Sequence, residues 1–181
     1  MKTLIVIDMQ NDFITGPLGT PEAREIVTKV KAKIDEYLRN GDQVIFTRDT
    51  HYDGYLRTQE GRYLPIEHCI VRTDGWQIIS ELKPYVTKVA TKHGFGYNHW
   101  DLNYFDLNFQ RNSVHYSDRD FVEVVGVCTD ICVISNALIL KSLFPETEIT
   151  VDASCCAGTT PENHKAALQV MKSCQINVIG E

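Results

Sequence analysis

Cys132 is the residue of this sequence whose surroundings best suit a nucleophile. It lies in the run GVCTDICV at residues 126–133, directly after an apolar, β-branched stretch at residues 121–125. Apolar residues then recur at helical spacing, and Thr129 and Asp130 are typical N-cap and first-turn residues. The pattern therefore predicts Cys132 in the first turn of a helix that leaves the end of a strand. A helix N-terminus lowers the pKa of a thiol, and its free backbone N–H groups can bind an oxyanion. The alternative is a small buried core residue, as many free cysteines are.

Two further residues could activate such a thiol. A thiol of ordinary pKa is mostly protonated at neutral pH, and it needs a base or a nearby cation to react as a thiolate. Asp8 ends a nearly continuous apolar run at residues 4–8 and could take the proton, whereas Lys92 follows another predicted strand and could stabilise both carboxylate and thiolate. Considered singly, Asp8 is as well explained as a strand-end cap and Lys92 as a solvated surface charge.

A second group of residues suits a metal ion. Asp49 and His51 follow a predicted strand, and side chains two residues apart on a strand point to the same face. A carboxylate with imidazoles is a donor set for zinc, iron or manganese. His68 is a reasonable third ligand, and Glu60 is a candidate fourth. Hydrogen-bonded loop histidines explain the pair equally well. The remaining histidines show no such spacing and receive no role: His93, His99, His115 and His164.

The elements that must position these residues alternate between strands and helices. Strands are predicted at residues 4–8, 43–47, 85–91, 121–125, 148–152 and 176–179. Helices are predicted at residues 20–40, 77–82, 102–109, from 129 onwards and at 161–173, while residues 52–75 lack periodicity. The first helix carries an apolar stripe: Ile26, Val30, Ile34 and Leu38. Such alternation predicts an α/β fold with a largely parallel six-stranded sheet covered on both faces. Four groups of candidate residues then lie at the carboxyl ends of strands, where ligands bind in such sheets: Asp8, Asp49 with His51, Lys92 and Cys132.

Composition limits the class of protein. The chain has 181 residues, 43% of them hydrophobic, and a net charge of −6. These values predict one domain over residues 1–181 and argue against nucleic acid and anionic membranes as partners. No apolar stretch reaches the ~20 residues of a membrane span, and the N-terminal run is too short for a signal peptide. Six cysteines without a secretory signal favour a reduced, cytoplasmic protein.

Six motifs follow one another through nearly the whole chain. They are IDMQNDF at residues 7–13, RDTH at 48–51, LPIEHC at 64–69, TK at 91–92, GVCTDICV at 126–133 and TPENH at 160–164. On these motifs the sequence resembles the isochorismatase-like cysteine hydrolases, and within them the nicotinamidase branch. The resemblance implies a Rossmann-like, three-layer αβα fold.

The resemblance also implies roles for the candidate residues. Asp8, Lys92 and Cys132 fall on the catalytic positions of the family. The oxyanion hole would use the backbone N–H groups of Cys128 and Cys132, next to a cis peptide bond between Val127 and Cys128. Cys128 stands where a small residue such as Ala is more usual, which leaves a backbone donor intact.

The resemblance extends to a metal and a substrate pocket. Asp49, His51 and His68 match the metal ligands of nicotinamidases, with zinc the first expectation and iron or manganese the alternatives. Some nicotinamidases have a further His where Arg57 lies here, while others use a glutamate, for which Glu60 is the candidate. Phe13 is expected as one wall of the substrate pocket and Tyr97 as another, with Tyr63 and Phe95 as alternatives. The aromatic residue common before the second metal His is absent, since Pro65 and Ile66 stand there.

The expected activity is hydrolysis of a small primary amide through a thioester, with nicotinamide as the first candidate substrate. Another amidase of the family, of the ureidoacrylate or carbamoyl type, stays open, as does a catalytically silent binding module. Hydrolysis of the vinyl ether of isochorismate is disfavoured because that chemistry uses no cysteine nucleophile. The expected partner is a small-molecule amide, and assembly into a homo-oligomer is left open.

Overall fold

A six-stranded parallel sheet forms the centre of the molecule. The computed structural model describes residues 2–100 and 121–181. Its strands are β1 (Lys2–Ile7), β2 (Gln43–Asp49), β3 (Val89–Lys92), β4 (Phe121–Val127), β5 (Glu148–Ala157) and β6 (Asn177–Ile179). They lie in the order β3-β2-β1-β4-β5-β6, and every neighbouring pair is parallel. The predicted α/β fold class is therefore confirmed.

Helices cover both faces of this sheet. They are α1 (Asn11–Ile14), α2 (Pro21–Glu25), α3 (Val27–Arg39), α4 (Gln59–Tyr63), α5 (Ile134–Leu143) and α6 (Pro161–Ser173). Leu4 and Val6 of β1 pack in one buried apolar cluster with side chains of α3, whereas Ile5 and Ile7 pack in a second cluster with α5 and α6. Successive strand side chains point to opposite faces, so one apolar strand supplies both cores. The result is the three-layer αβα arrangement.

The predicted helix at residues 77–82 is wrong. Ile78 forms an isolated antiparallel bridge with Gln10, and the N–H of Ile79 donates to the carbonyl oxygen of Met9. The segment thus bonds to the chain just beyond β1 instead of to itself, and only a 3₁₀ turn at Lys83–Tyr85 follows. Strand β3 consequently begins at Val89, four residues later than predicted.

Other differences concern the faces and ends of helices. The predicted first helix is divided at Ile26 into α2 and α3. Leu38 is 43% exposed, and Tyr37 is buried in its place with its hydroxyl donating to Glu123 at 2.6 Å. The predicted irregular stretch at residues 52–75 contains a 3₁₀ turn at Tyr55–Arg57 and helix α4. The helix predicted at residues 102–109 lies outside the described residues.

Helix α6 was predicted with the bounds that the structure has. Thr160 caps it, because its side-chain oxygen accepts the N–H of Asn163, and Pro161 occupies the first turn. In the part of the chain that the structure describes, no helix combines the length and apolar composition that a membrane crossing needs.

Candidate active site

The order in which the chain adds strands to the sheet reverses between β1 and β4, and the candidate residues surround that point. From β1 the chain continues to β2 and β3 on one side, whereas β4 leads to β5 and β6 on the other. Asp8 follows β1, Asp49 and Lys92 are the last residues of β2 and β3, and Cys132 lies just beyond β4. Strand ends diverge at such a switch point and leave a crevice there.

The ammonium group of Lys92 brings the three predicted catalytic side chains together. Its Nζ lies 2.7 Å from Oδ2 of Asp8 and 3.5 Å from Sγ of Cys132. It also contacts Oδ1 of Asp49 and the carbonyl oxygen of Gly94, both at 3.1 Å. All three predicted side chains are buried. A carboxylate, an ammonium and a thiol from three distant segments therefore share one water-poor site.

Asp8 is held by a contact that the sequence analysis missed. The hydroxyl of Thr47 on β2 donates to Oδ1 of Asp8 at 2.6 Å and accepts the backbone N–H of Asp8 at 3.1 Å. Asp8 has a φ of 47°, so the chain turns sharply where β1 ends. Thr47 therefore fixes one carboxylate oxygen and leaves the other for Lys92.

Burial determines the resting protonation of this site. Burial raises the pKa of the Asp8 carboxyl, although Lys92 opposes the shift. Burial also raises the pKa of the Cys132 thiol well above its usual value, more than Lys92 lowers it. For Lys92 burial alone would lower the pKa, but the neighbouring Asp8, Cys132 and Asp49 raise it. Burial thus opposes the lowering of the thiol pKa that a helix N-terminus predicts, and the thiol lies beside a carboxyl group that can exchange a proton with it.

The turn that carries Cys132 differs from the predicted capped helix. Residues Thr129–Val133 form a π-helical turn, in which the carbonyl oxygen of Cys128 accepts the N–H groups of Ile131 and Val133 at 3.1 and 3.0 Å. The residue before the turn is Cys128, and the hydroxyl of Thr129 bonds to His164 instead of capping the helix. The peptide bond between Val127 and Cys128 is cis, as the family resemblance implied. Single π turns inside helices are frequent at functional sites.

Close approach of backbones requires a glycine just before this turn. Gly126 has a φ of 118°, and a Cβ there would lie 2.2 Å from the carbonyl oxygen of Ile7. A side chain at this position would push β4 away from β1. Gly126 therefore keeps the end of β4, and the turn after it, close to the end of β1 where Asp8 lies.

Asn136 fixes the other side of the Cys132 turn. This residue of α5 is completely buried, and its Nδ2 donates to the carbonyl oxygen of Cys132 at 2.8 Å. Its Oδ1 accepts the backbone N–H of Tyr97 at 2.9 Å and the indole N–H of Trp100 at 3.1 Å. Asn136 therefore joins the Cys132 turn to the segment after β3, a role that sequence pattern alone did not indicate.

A cavity of about 310 Å³ opens beside the sulfur. Cys128 and Cys132 line it together with Phe13, which occupies the predicted wall. Tyr97 is not among the lining residues, because its ring packs edge-on against Trp100 with centroids 4.8 Å apart. Phe95 and Leu64 line the cavity, while the other sequence alternative, Tyr63, is 85% exposed. Phe95 lines the cavity in this structure, and a substrate contact by Tyr97 stays a prediction.

The predicted metal ligands form a compact buried cluster at one end of this cavity. One donor atom from each of Asp49, His51 and His68 lies within 4.8 Å of the other two. Oδ2 of Asp49 is 3.0 Å from Nε2 of His51 and 3.7 Å from Nε2 of His68. Oε1 of Glu60 is 3.6 and 3.9 Å from the same two nitrogens. Glu60 therefore lies beside the cluster, and its role as a fourth ligand stays a prediction.

The hydrogen bonding of this cluster fits a divalent metal ion. Nε2 of His51 is buried and faces the other donors, 3.0 Å from Oδ2 of Asp49. Nδ1 of His68 bonds to the carbonyl oxygen of Ile66 at 2.9 Å, which leaves its Nε2 facing the other donors. A histidine that ligates a metal typically uses its second ring nitrogen in this way. Carboxylate and imidazole donors suit zinc, iron or manganese.

Two residues of the first motif hold this cluster in place, and the sequence analysis gave neither a role. The side-chain amide of Gln10 accepts the N–H of Asp49 at 2.7 Å and donates to the carbonyl oxygens of Asp49 and Trp76 at 2.9 and 3.0 Å. Oδ2 of Asp12 accepts the N–H of Cys69, next to His68, at 2.7 Å. Both residues stand in the IDMQNDF motif, and that motif is the sequence feature that could have indicated their roles.

Asp49 belongs to both parts of the site. Its Oδ1 contacts the Lys92 ammonium, and its Oδ2 contacts His51. The nearby imidazole and ammonium lower the pKa of Asp49, although burial alone would raise it. The thiol site and the metal cluster are therefore adjacent, and they share one carboxylate.

Comparison with known proteins identifies the relatives of this chain. The isochorismatase domain family matches residues 2–180. Among curated proteins, the chain is 28% identical to a nicotinamidase of Saccharomyces cerevisiae over 99% of both chains. It is 26% identical to a nicotinamidase/pyrazinamidase of Mycobacterium tuberculosis over 99% of this chain and 98% of the relative.

Two solved structures of other amidases are also similar to this chain. A pyrazinamidase of Pyrococcus horikoshii in complex with zinc superposes with a TM-score of 0.78 at 28% identity over 99% of both chains. An N-carbamoylsarcosine amidase of Thermoplasma acidophilum superposes with a TM-score of 0.73 at 27% identity, over 98% of this chain and 95% of that one.

Proposed function

The chain belongs to the isochorismatase family, within which we propose that it is a cysteine-dependent amidase that hydrolyses nicotinamide to nicotinate and ammonia. The observation that carries this proposal is the contact of one buried ammonium, that of Lys92, with Asp8 and Cys132 beside a cavity. Hydrolysis of a carbon–nitrogen bond is the chemistry of its nicotinamidase relatives.

The first half of the reaction forms a thioester. Asp8 accepts the proton of the Cys132 thiol, and the sulfur attacks the carbonyl carbon of the amide. The backbone N–H groups of Cys128 and Cys132 stabilise the oxyanion, each by about 2.7–4 kcal/mol in comparable acyl-transfer enzymes. As the carbon–nitrogen bond breaks, Asp8 returns the proton to the leaving nitrogen, which departs as ammonia.

The second half of the reaction consumes one water molecule. Asp8 accepts a proton from the water, whose oxygen attacks the thioester carbonyl. The carbon–sulfur bond breaks, Asp8 gives the proton to the departing sulfur and so restores the Cys132 thiol, and the product leaves as a carboxylic acid. Lys92 stays positively charged throughout and stabilises whichever of its two neighbours carries the negative charge.

Asp49, His51 and His68, with Glu60 beside them, are the residues that would hold a divalent ion, and zinc is the ion that we propose. Such an ion would supply a Lewis acid that binds a ring nitrogen or a water and so orients the substrate. The protein itself contributes the buried position of these donors next to the cavity.

The cavity supports a small, flat substrate with an apolar face. Its volume of about 310 Å³ accommodates a single aromatic ring with one substituent, and the ring of Phe13 forms part of the wall. Phe13 also packs edge-on against the metal-cluster residue His68, with ring centroids 5.5 Å apart. A pyridine ring against Phe13 would therefore present its nitrogen near the cluster.

A carbamoyl-type amidase is the second candidate. The N-carbamoylsarcosine amidase of Thermoplasma acidophilum shares the fold at 27% identity. This chain also has Leu64 in the cavity wall and no aromatic residue at positions 64–67, just before His68. An aliphatic wall on that side would suit a substrate without an aromatic ring.

The deciding experiment follows ammonia release from a panel of substrates. Nicotinamide, pyrazinamide, N-carbamoylsarcosine and ureidoacrylate are each tested with zinc and with a chelator, and Cys132→Ala is the control for background hydrolysis. Preferential turnover of nicotinamide supports the proposal. Preferential turnover of a carbamoyl or ureido substrate replaces it with the second candidate, and equal activity of Cys132→Ala refutes the covalent route.

A further inference from the structure

The turn that carries Cys132 is bonded to the start of helix α6. Thr129, completely buried, lies between Cys128 and Cys132 in sequence. A hydrogen bond of 2.8 Å joins its hydroxyl to Nδ1 of His164, in the first turn of α6. Burial lowers the pKa of His164, which keeps its ring neutral at neutral pH. One neutral side chain thus holds the residue next to the proposed oxyanion donor.

A second connection joins the same two segments. Oδ1 of Asp130 accepts the backbone N–H of Thr159 at 2.8 Å, and Oδ2 accepts its hydroxyl at 2.5 Å. Gly158 permits this close packing, because a Cβ there would lie 2.9 Å from Cβ of His164 and 3.0 Å from Oδ1 of Asp130. The Cys132 turn, the loop after β5 and the start of α6 therefore form one tightly packed unit.

His164 does not line the cavity that contains Cys132. It lines a separate cavity of about 230 Å³ between α6, α2 and the end of β5. Its imidazole therefore acts on the sulfur through the Cys132 turn, to which it is joined by the hydrogen bond to Thr129. A π-helical turn departs from the regular hydrogen bonding of an α-helix, and the Thr129 hydroxyl is a side-chain contact that ties this turn to α6.

We propose that His164 is a positioning residue for the proposed amidase reaction, because its hydrogen bond to Thr129 holds the turn that presents Cys132 and the Cys128 N–H. This inference rests on the proposed function of Cys132 as the nucleophile. The bond orients the reacting sulfur relative to Lys92 and the oxyanion donors, and misplacement of reacting groups by about 1 Å costs up to ~100-fold in rate.

The kinetic test compares two substitutions at one position. His164→Leu removes the hydrogen bond and should lower kcat about tenfold, near the upper end of what one such bond contributes, while KM stays within about twofold because the cavity wall is untouched. His164→Asn places an amide near the position of Nδ1 and should recover most of the lost kcat. Equal impairment of the two variants would overturn the proposal.

A matched control separates positioning from stability. Thr160→Ala removes the cap of α6 and should destabilise the same helix start by an amount that thermal unfolding measures, without touching Thr129. We expect its kcat to remain that of the unsubstituted enzyme. A loss of kcat in Thr160→Ala equal to that in His164→Leu would show that general destabilisation, and not the Thr129 bond, explains the effect.

A readout without substrate separates this inference from the proposed function. The rate of Cys132 alkylation by iodoacetamide, resolved by peptide mass spectrometry, should fall several-fold in His164→Leu and not in Thr160→Ala. If the enzyme fails to hydrolyse nicotinamide, the proposed function fails while this measurement still decides the role of His164. An unchanged alkylation rate overturns the inference. If His164→Leu does not fold, Thr129→Val removes the same hydrogen bond by replacing its other partner. The same results then support or overturn the proposal.

Discussion

Substitution of Lys92 by methionine tests whether one ammonium holds the site together. Lys92 is 2% exposed and contacts two carboxylates, Asp8 at 2.7 Å and Asp49 at 3.1 Å. Methionine has nearly the same length and no charge. Lys92→Met therefore removes the ammonium that the two buried carboxylates share and leaves the apolar stem in place, while His51 stays beside Asp49.

The expected loss of stability follows from these contacts. Removing one partner of a buried ion pair costs about 3–5 kcal/mol, because the remaining charge stays desolvated. With two carboxylates affected, we expect the upper end of that range at pH 8. A loss of about 5 kcal/mol is a large part of the ~5–15 kcal/mol by which domains are stable, and it corresponds to a fall in Tm of roughly 10–20 °C for a chain of this size.

The loss of stability in Lys92→Met should depend on pH. Without Lys92 the pKa of the buried Asp8 carboxyl rises further above that of the unfolded chain, so the folded variant binds a proton more tightly than the unfolded one. Its stability then increases as the pH falls from the raised folded-state pKa toward the ordinary carboxyl pKa. The deficit relative to the unsubstituted protein should be largest at pH 8 and smaller at pH 5.

The assay is urea unfolding followed by circular dichroism at pH 8 and pH 5, with EDTA present because a metal ion on Asp49 would supply positive charge. The matched variant is Lys92→Met combined with Asp8→Asn, which removes one of the two carboxylates and should recover part of the loss. A deficit below about 1 kcal/mol at pH 8, or one that grows on acidification, would refute the assigned role of Lys92.

Four further outcomes are expected. Cys132→Ala should abolish ammonia release while the free energy of unfolding changes by only about 1 kcal/mol; retained turnover contradicts the nucleophile. Gln10→Leu should lose about 2–4 kcal/mol in urea unfolding, since it removes three hydrogen bonds to backbone groups; an unchanged midpoint contradicts this. His68→Ala should lower the bound zinc that elemental analysis measures after dialysis, whereas His93→Ala should not. Because the pKa of Asp8 is raised, the acidic limb of the kcat/KM profile should lie above the ordinary aspartate pKa; a limb at or below that value argues against Asp8 as the base.

The sequence by itself determined the class of fold and the edge of the sheet where the site lies. The apolar run of β1 and the Thr160–Pro161 start of α6 are local signals, because strand alternation and helix capping depend on near neighbours in the chain. In a parallel sheet all strands end at the same edge, so polar residues after strands collect there. Asp8, Lys92 and Cys132 could therefore be assigned to one site before any distance was known.

The tertiary structure decided which hydrogen bonds hold these residues and in which direction their pKa values shift. The bonds of Thr47 to Asp8, of Gln10 to Asp49 and of Asn136 to the Cys132 turn join segments far apart in the chain. Local pattern contains no information about such pairs, which depend on strand order and register. The same reason explains the wrong helix at residues 77–82, whose backbone bonds to the chain after β1. Burial, which raises the thiol pKa against the expected effect of the helix N-terminus, likewise exists only once the three layers have assembled.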